Sequence, residues 1–114
     1  MLTLDVAMEV GSKLRYRDEQ QAKMDKGFAV SAVEFRNKYL SELDNPESWT
    51  DTKLFIILDF KDVTHLAPSF AYEAFAYFRR YATPKRILTK IKFINIREVQ
   101  LNVIELELNL PEYE

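Results

Sequence analysis

Leu54-Phe55-Ile56-Ile57-Leu58-Asp59-Phe60-Lys61-Asp62-Val63-Thr64-His65-Leu66-Ala67-Pro68-Ser69-Phe70-Ala71-Tyr72-Glu73-Ala74-Phe75 is a run in which an apolar strand gives way to a short loop, and the loop ends in a serine at a helix start. Residues 54–60 are apolar on both strand faces, which marks an interior strand covered by its surroundings. Over 69–81 the spacing predicts a helix, with Ala71, Ala74, Phe75 and Phe78 on its inner face. Tyr72, Glu73, Ala76, Arg79 and Arg80 then face elsewhere. The first N–H groups of a helix have no partner within it and its dipole favours negative charge there, so Ser69 stands where an anion or a partner would be read.

Upstream, Leu2, Leu4, Val6, Met8 and Val10 alternate with Thr3, Asp5, Ala7 and Glu9, the period-two signature of a half-buried strand. Gly11-Ser12 fits a two-residue hairpin turn, after which Leu14 and Tyr16 continue the alternation in a second, antiparallel strand. Residues 18–27 are polar and read as a variable connection. Ser31 and Glu34 have capping-box spacing and open a helix running to about Asp44, where Asn45-Pro46 stops it. Downstream, Pro84 ends a connection and Ile87, Leu88, Ile91, Phe93 and Ile94 form a fourth strand. Residues 97–108 fit both periods and are assigned to a helix returning over the sheet. The expectation is a single α/β domain over residues 1–114, with a mixed sheet of about four strands, an N-terminal hairpin and helices packed on the sheet.

Composition agrees with one compact domain: 114 residues, 47% of them hydrophobic, support a single core. No basic segment leads into a long apolar run, so the sequence predicts neither a signal peptide nor a membrane span, and a cytoplasmic location. The chain has no cysteine, which removes disulfides, thiolate metal sites and thiol catalysis together. Its two glycines, Gly11 and Gly27, are too few and too far apart for a phosphate-cradling loop. His65 is the single histidine, so neither a histidine metal site nor a catalytic triad beyond it can be assembled. Asp59 and Asp62 could in principle share a metal, but the favoured reading has Asp59 bonding loop backbone and Asp62 facing water. No cofactor and no metal are expected.

Leu58-Asp59-Phe60, Asp62-Val63 and the turn that places Ser69 at a helix start resemble the core of the STAS domain, the sulfate transporter and anti-sigma factor antagonist fold. Ser69-Phe70-Ala71-Tyr72-Glu73 matches a step of its bacterial STAS-like relatives of unassigned function. The resemblance covers roughly residues 28–108. Ser69 falls on the serine that regulatory members phosphorylate, while Ala67, Pro68 and Phe70 replace the acidic residue, first serine and glycine of the usual turn. What the resemblance implies is a non-catalytic regulatory module whose partner is a histidine-kinase-like ATPase or an anti-sigma-type protein. Ser69 is then the candidate phosphoacceptor, and His65, Pro68, Ser69, Phe70, Tyr72, Glu73, Arg79 and Arg80 are the candidate docking surface.

The residues themselves leave other readings open. Ser69 is equally a plain N-cap, and Glu73 a carboxylate favoured by the dipole of the first turn. Tyr72, Tyr77 and Tyr81 are either docking aromatics or rim residues with wet hydroxyls. Seven basic residues lie between Arg79 and Arg97 with no acidic one, and five glutamates with no basic residue follow from Glu98 to Glu114. That pattern is read as two neighbouring runs that partly neutralise each other, so nucleic acid is disfavoured as a partner. The alternative of a different class is a small-ligand or nucleotide-sensing module that uses the Ser69 helix start as an anion site.

Overall fold

The structure is a computed structural model that describes residues 2–22 and 30–111. Its order is β1 (Leu2–Asp5), α1 (Val6–Glu9), β2 (Lys13–Leu14), α2 (Glu19–Ala22), α3 (Ala32–Tyr39), β3 (Ile56–Asp59), β4 (His65–Leu66), α4 (Pro68–Ala74), α5 (Pro84–Lys90), β5 (Ile91–Ile94) and α6 (Glu98–Leu108). Short 3-10 turns fill Ser41–Leu43, Pro46–Trp49 and Ala76–Arg80. The expected variable connection at 18–27 falls partly on α2 and partly outside the described residues.

The fold is α/β, but the sheet is not the expected one. Three strands pair in the order β1-β3-β5, all parallel, with Leu4 beside Leu58 and Leu58 beside Phe93. A separate pair, β2 and β4, is also parallel, with Lys13 beside His65 and Leu14 beside Leu66. Residues 54–60 do contain the central strand. Leu4, Ile56, Leu58 and Ile91 are buried, whereas the alternate positions Thr3 and Lys92 are exposed and Ile57 is half-buried.

The expected N-terminal hairpin is absent. Asp5 ends β1 by accepting the Met8 N–H on Oδ1 at 3.1 Å, which caps the single turn of α1. Val6 and Val10 are buried and Met8 is 77% exposed. An even-numbered apolar series also contains the i, i+4 spacing of a helix, and here that spacing prevails after Asp5. Gly11 has a φ of +134°, as a turn glycine would, but it delivers the chain to β4 rather than back along β1.

A second correction concerns the start of the fourth strand: Ile87 and Leu88, expected in it, lie in the helix α5. Thr83 caps α5 by accepting the Arg86 N–H at 3.3 Å and Pro84 occupies the first helical position, where its missing N–H costs nothing. The strand begins only at Ile91. The helix expected through Asp44 ends at Tyr39 and passes into the 3-10 turn; its Ser31 accepts the Glu34 N–H at 3.1 Å as predicted. The C-terminal segment is the helix expected, α6, with Gln100, Ile104 and Leu108 buried.

The core lies between the covered sheet face and helices α3, α4 and α6. Phe75 sits at its centre, its ring 5.1 Å from that of Phe93 and 6.1 Å from that of Phe35, both edge to face. Ala71, Ala74, Phe75 and Phe78 are all buried, which is the inner face predicted for 69–81. The segment itself is two pieces, α4 and then the 3-10 turn Ala76–Arg80.

Candidate functional site

The corner between β3 and α4 is built by a series of specific bonds. Asp59 Oδ1 accepts the Lys61 N–H at 2.9 Å and the Asn95 Nδ2 amide at 3.0 Å, and these bonds, the Lys61 one foremost, hold its carboxyl below the usual range. Asp59 therefore shapes the turn, and Asp62 follows it in the left-handed region at φ +67°, exposed. Among the described residues no group of three or more acidic or histidine side chains could hold a metal.

Past the turn, the chain is fastened from two sides. The carbonyl of Val63 accepts the Gln100 Nε2 amide at 2.9 Å in a buried bond, and that of Thr64 accepts Arg97 Nη2 at 2.6 Å, so the start of α6 holds one flank. On the other flank the N–H groups of Thr64 and His65 donate to the Ser12 carbonyl at 2.7 and 3.2 Å, and that of Ala67 to Leu14 at 2.8 Å. Backbone groups at a corner need such partners to avoid being buried unpaired.

Helix α4 then opens with Pro68 at its first position, and its cap is Ala67, which offers no side-chain bond. Ser69 is consequently the second helical residue and not the N-cap it was expected to be. A proline presets φ for the helix start and has no N–H of its own to satisfy there. The same proline leaves only Ser69 and Phe70 with unpaired N–H groups in the first turn of a seven-residue helix, fewer donors than the anion-site reading assumed. Ser69 is half-buried and borders a groove of about 290 Å³ with Arg17, Tyr72 and Glu107. Burial raises the Glu107 carboxyl above its ordinary value.

The remaining predicted docking residues divide. His65 and Pro68 are exposed beside Ser69, with His65 Nδ1 3.0 Å from Thr64 Oγ1 and its residue in β4 rather than in a loop. Phe70 is wholly buried, its ring 5.9 Å from Phe35, so it belongs to the core and leaves the docking surface. The inner face of α4 is wider than the sequence reading allowed. Glu73 holds Arg36, its Oε1 3.2 Å from the guanidinium, and its own carbonyl accepts from the same group. Arg79 donates to the Leu110 carbonyl.

Arg80 belongs to a second cluster that the sequence reading missed. Asp44 accepts Tyr77 Oη on Oδ2 at 2.8 Å and Tyr81 Oη on Oδ1 at 2.6 Å. The Tyr77 ring lies between two guanidiniums, with Arg36 3.7 Å and Arg80 3.6 Å from its centroid. The Tyr81 bond, followed by that from Tyr77 and the arginine charges, holds the Asp44 carboxyl below its ordinary value against a desolvation that opposes it. Tyr81 is raised in return by its bond to Asp44, and Tyr77 by burial first and then by Asp44. Tyr77 and Tyr81 are thus rim residues whose hydroxyls are bonded. No local signal marks Asp44 or Arg36 in the sequence, since their partners lie 33 to 41 positions away.

Much of the basic run is bonded to the fold, while Lys85 and Lys92 stay exposed. Arg86 donates to the Trp49 carbonyl, Lys90 pairs with Asp51, and Arg79 and Arg97 bond carbonyls as described. Among the described residues no ion pair joins this run to the acidic one after Glu98. No helix among the described residues is long and apolar enough to cross a membrane.

The comparisons fit this geometry. No curated protein matches the chain, and no solved structure does. A family model described as a STAS-like domain of unknown function (DUF4325) matches residues 31–100, which take in α3, the central strand, the Ser69 corner and the start of α6. That match spans more than half of the sequence, and the chain belongs to this family of STAS-like domains of unknown function.

Proposed function

We propose that the chain is a non-catalytic regulatory module that docks a protein partner through the corner around Ser69, in the manner of anti-sigma factor antagonists. The observation that carries this reading is the condition of Ser69. Among the described residues its hydroxyl has no hydrogen bond, it caps nothing, and it borders a groove at the position that matches the regulatory serine of the STAS turn. A serine without a structural task beside a concave surface is suited to contact or modification.

Arg17 and Glu107 place one charge of each sign on that groove. A phosphate of about −1.5 to −2 charge on Ser69 would change this balance strongly while the helix start tolerates it. His65, Pro68 and Tyr72 extend the surface, and a histidine-kinase-like ATPase or anti-sigma-type protein in the cytoplasm is the partner class that the family likeness suggests. His65 Nδ1 meets Thr64 Oγ1, and among the described residues no side-chain base is hydrogen-bonded to the Ser69 hydroxyl, which favours a non-catalytic role.

Quantitative affinity capture from source cells, with phosphosite mass spectrometry, tests the reading. Wild type and Ser69→Ala should hold an ATPase or anti-sigma-type protein that Ser69→Glu loses by at least about tenfold at an unchanged thermal midpoint. Retention of the same proteins by Ser69→Glu overturns it.

A further inference from the structure

The outer side of α6 carries an apolar ridge that the fold does not use. Val99 is 63% and Leu106 66% exposed, seven residues and two helical turns apart, while Gln100, Ile104 and Leu108 already complete the inner face. Asn102 stands between them, and Leu106 borders a groove of about 370 Å³ with Asn102, Glu105 and Asn109. Paired exposed apolar residues on one helix stripe mark a contact surface more than isolated ones do.

Charge indicates what covers it. Glu98 and Glu105, also seven residues apart, line one side of the ridge, both exposed, and no lysine or arginine occurs from Glu98 to Glu114. Pairing α6 with α6 of a second copy would set glutamates against glutamates, which disfavours self-association. We infer that this face of α6 docks an amphipathic helix of another protein, one whose apolar stripe is bordered by lysine or arginine. Val99 and Leu106 would seat between its apolar side chains, and Glu98 and Glu105, on one side of the ridge, would meet a basic border along one side of it, giving register and orientation.

A photo-crosslinking residue placed at Asn102 of the full chain in source cells, followed by sequencing of the crosslinked peptide, provides the test. The expected product is a segment of another protein with apolar residues at helical spacing and basic residues along one side of them. Its yield should fall at least about tenfold in Glu98→Lys/Glu105→Lys and in Leu106→Ser, each with the wild-type melting curve. Crosslinks to a second copy, to a segment without a basic border, or to nothing overturn the inference, as does a yield indifferent to both variants. Failure here is read at Asn102 and failure of the Ser69 reading in the Ser69 variants, so the two results are independent.

Discussion

The segment from residue 68 to residue 81 ends in opposite ways. At its far end the polar side chains engage one another: both oxygens of Asp44 take a tyrosine hydroxyl, and both faces of Tyr77 carry an arginine. At its near end the Ser69 hydroxyl is bonded to nothing among the described residues and α4 has no side-chain cap. A network closed on itself fixes position and resists change, because removing one member strands the others. An unbonded hydroxyl at a groove can be altered with little effect on the fold. The far end is therefore scaffold, and the near end is surface available to a partner.

The largest effect should come from the residue between the two ends. Phe75→Ala empties the centre of the aromatic core and should cost about 3–5 kcal/mol in denaturant titration; a loss under about 1 kcal/mol would mean the two ends are not joined through one packed core. Arg36→Met comes next. It leaves the carboxylate and carbonyl of Glu73 without their donor and removes one face of the Tyr77 sandwich, for a loss of about 2 kcal/mol. Both measurements sharpen the contrast only if Ser69 variants stay near wild type.

A pH series isolates the closed end. Asp44 has a depressed pKa, so its contribution is full above the ordinary carboxylate value and is lost as pH falls through the lowered one. Tyr81 has a raised pKa, so its contribution is full below the ordinary phenol value and is lost as pH rises through the raised one. The melting temperature of wild type should exceed that of Asp44→Asn at neutral pH, and the gap should close below about pH 4. A gap constant from pH 7 to 3 would show that the carboxylate is not what the tyrosines hold. The smallest effect belongs to Ser69→Ala, within about 0.5 kcal/mol and toward stabilisation, because alanine is the better helix former at a position that caps nothing. A loss near 1 kcal/mol would restore the cap and erase the difference between the ends.

The central strand and the inner face of 69–81 were legible because their apolar spacing has one solution, whereas 97–108 fit both periods and the helix followed from the order of elements. The hairpin was not. Leu2, Leu4, Val6 and Val10 satisfy strand and helix spacing at once, and the decision rests on one Asp5 carboxylate reaching the Met8 N–H. Prolines misled in a consistent way. The sequence reading has Pro84 end a connection before a strand and Asn45-Pro46 stop a helix, yet Pro46, Pro68 and Pro84 each occupy the start of a helical turn. Of the candidate site, Ser69 and Tyr72 border one groove, whereas Phe70 lies in the core. The Asp44 network was invisible, since it joins residues that lie far apart in sequence.

The place of β3 in the sheet has a consequence for trimming the chain. The family match begins at residue 31, while β1 and β2 lie before it. A fragment cut to the matched window would strip β3 of one neighbour and β4 of its only partner among the described strands. The bared edge of β3 would offer an unpaired row of N–H and C=O groups beside Ile56 and Leu58, a template for intermolecular strand pairing. The first fourteen residues thus act as a guard against aggregation.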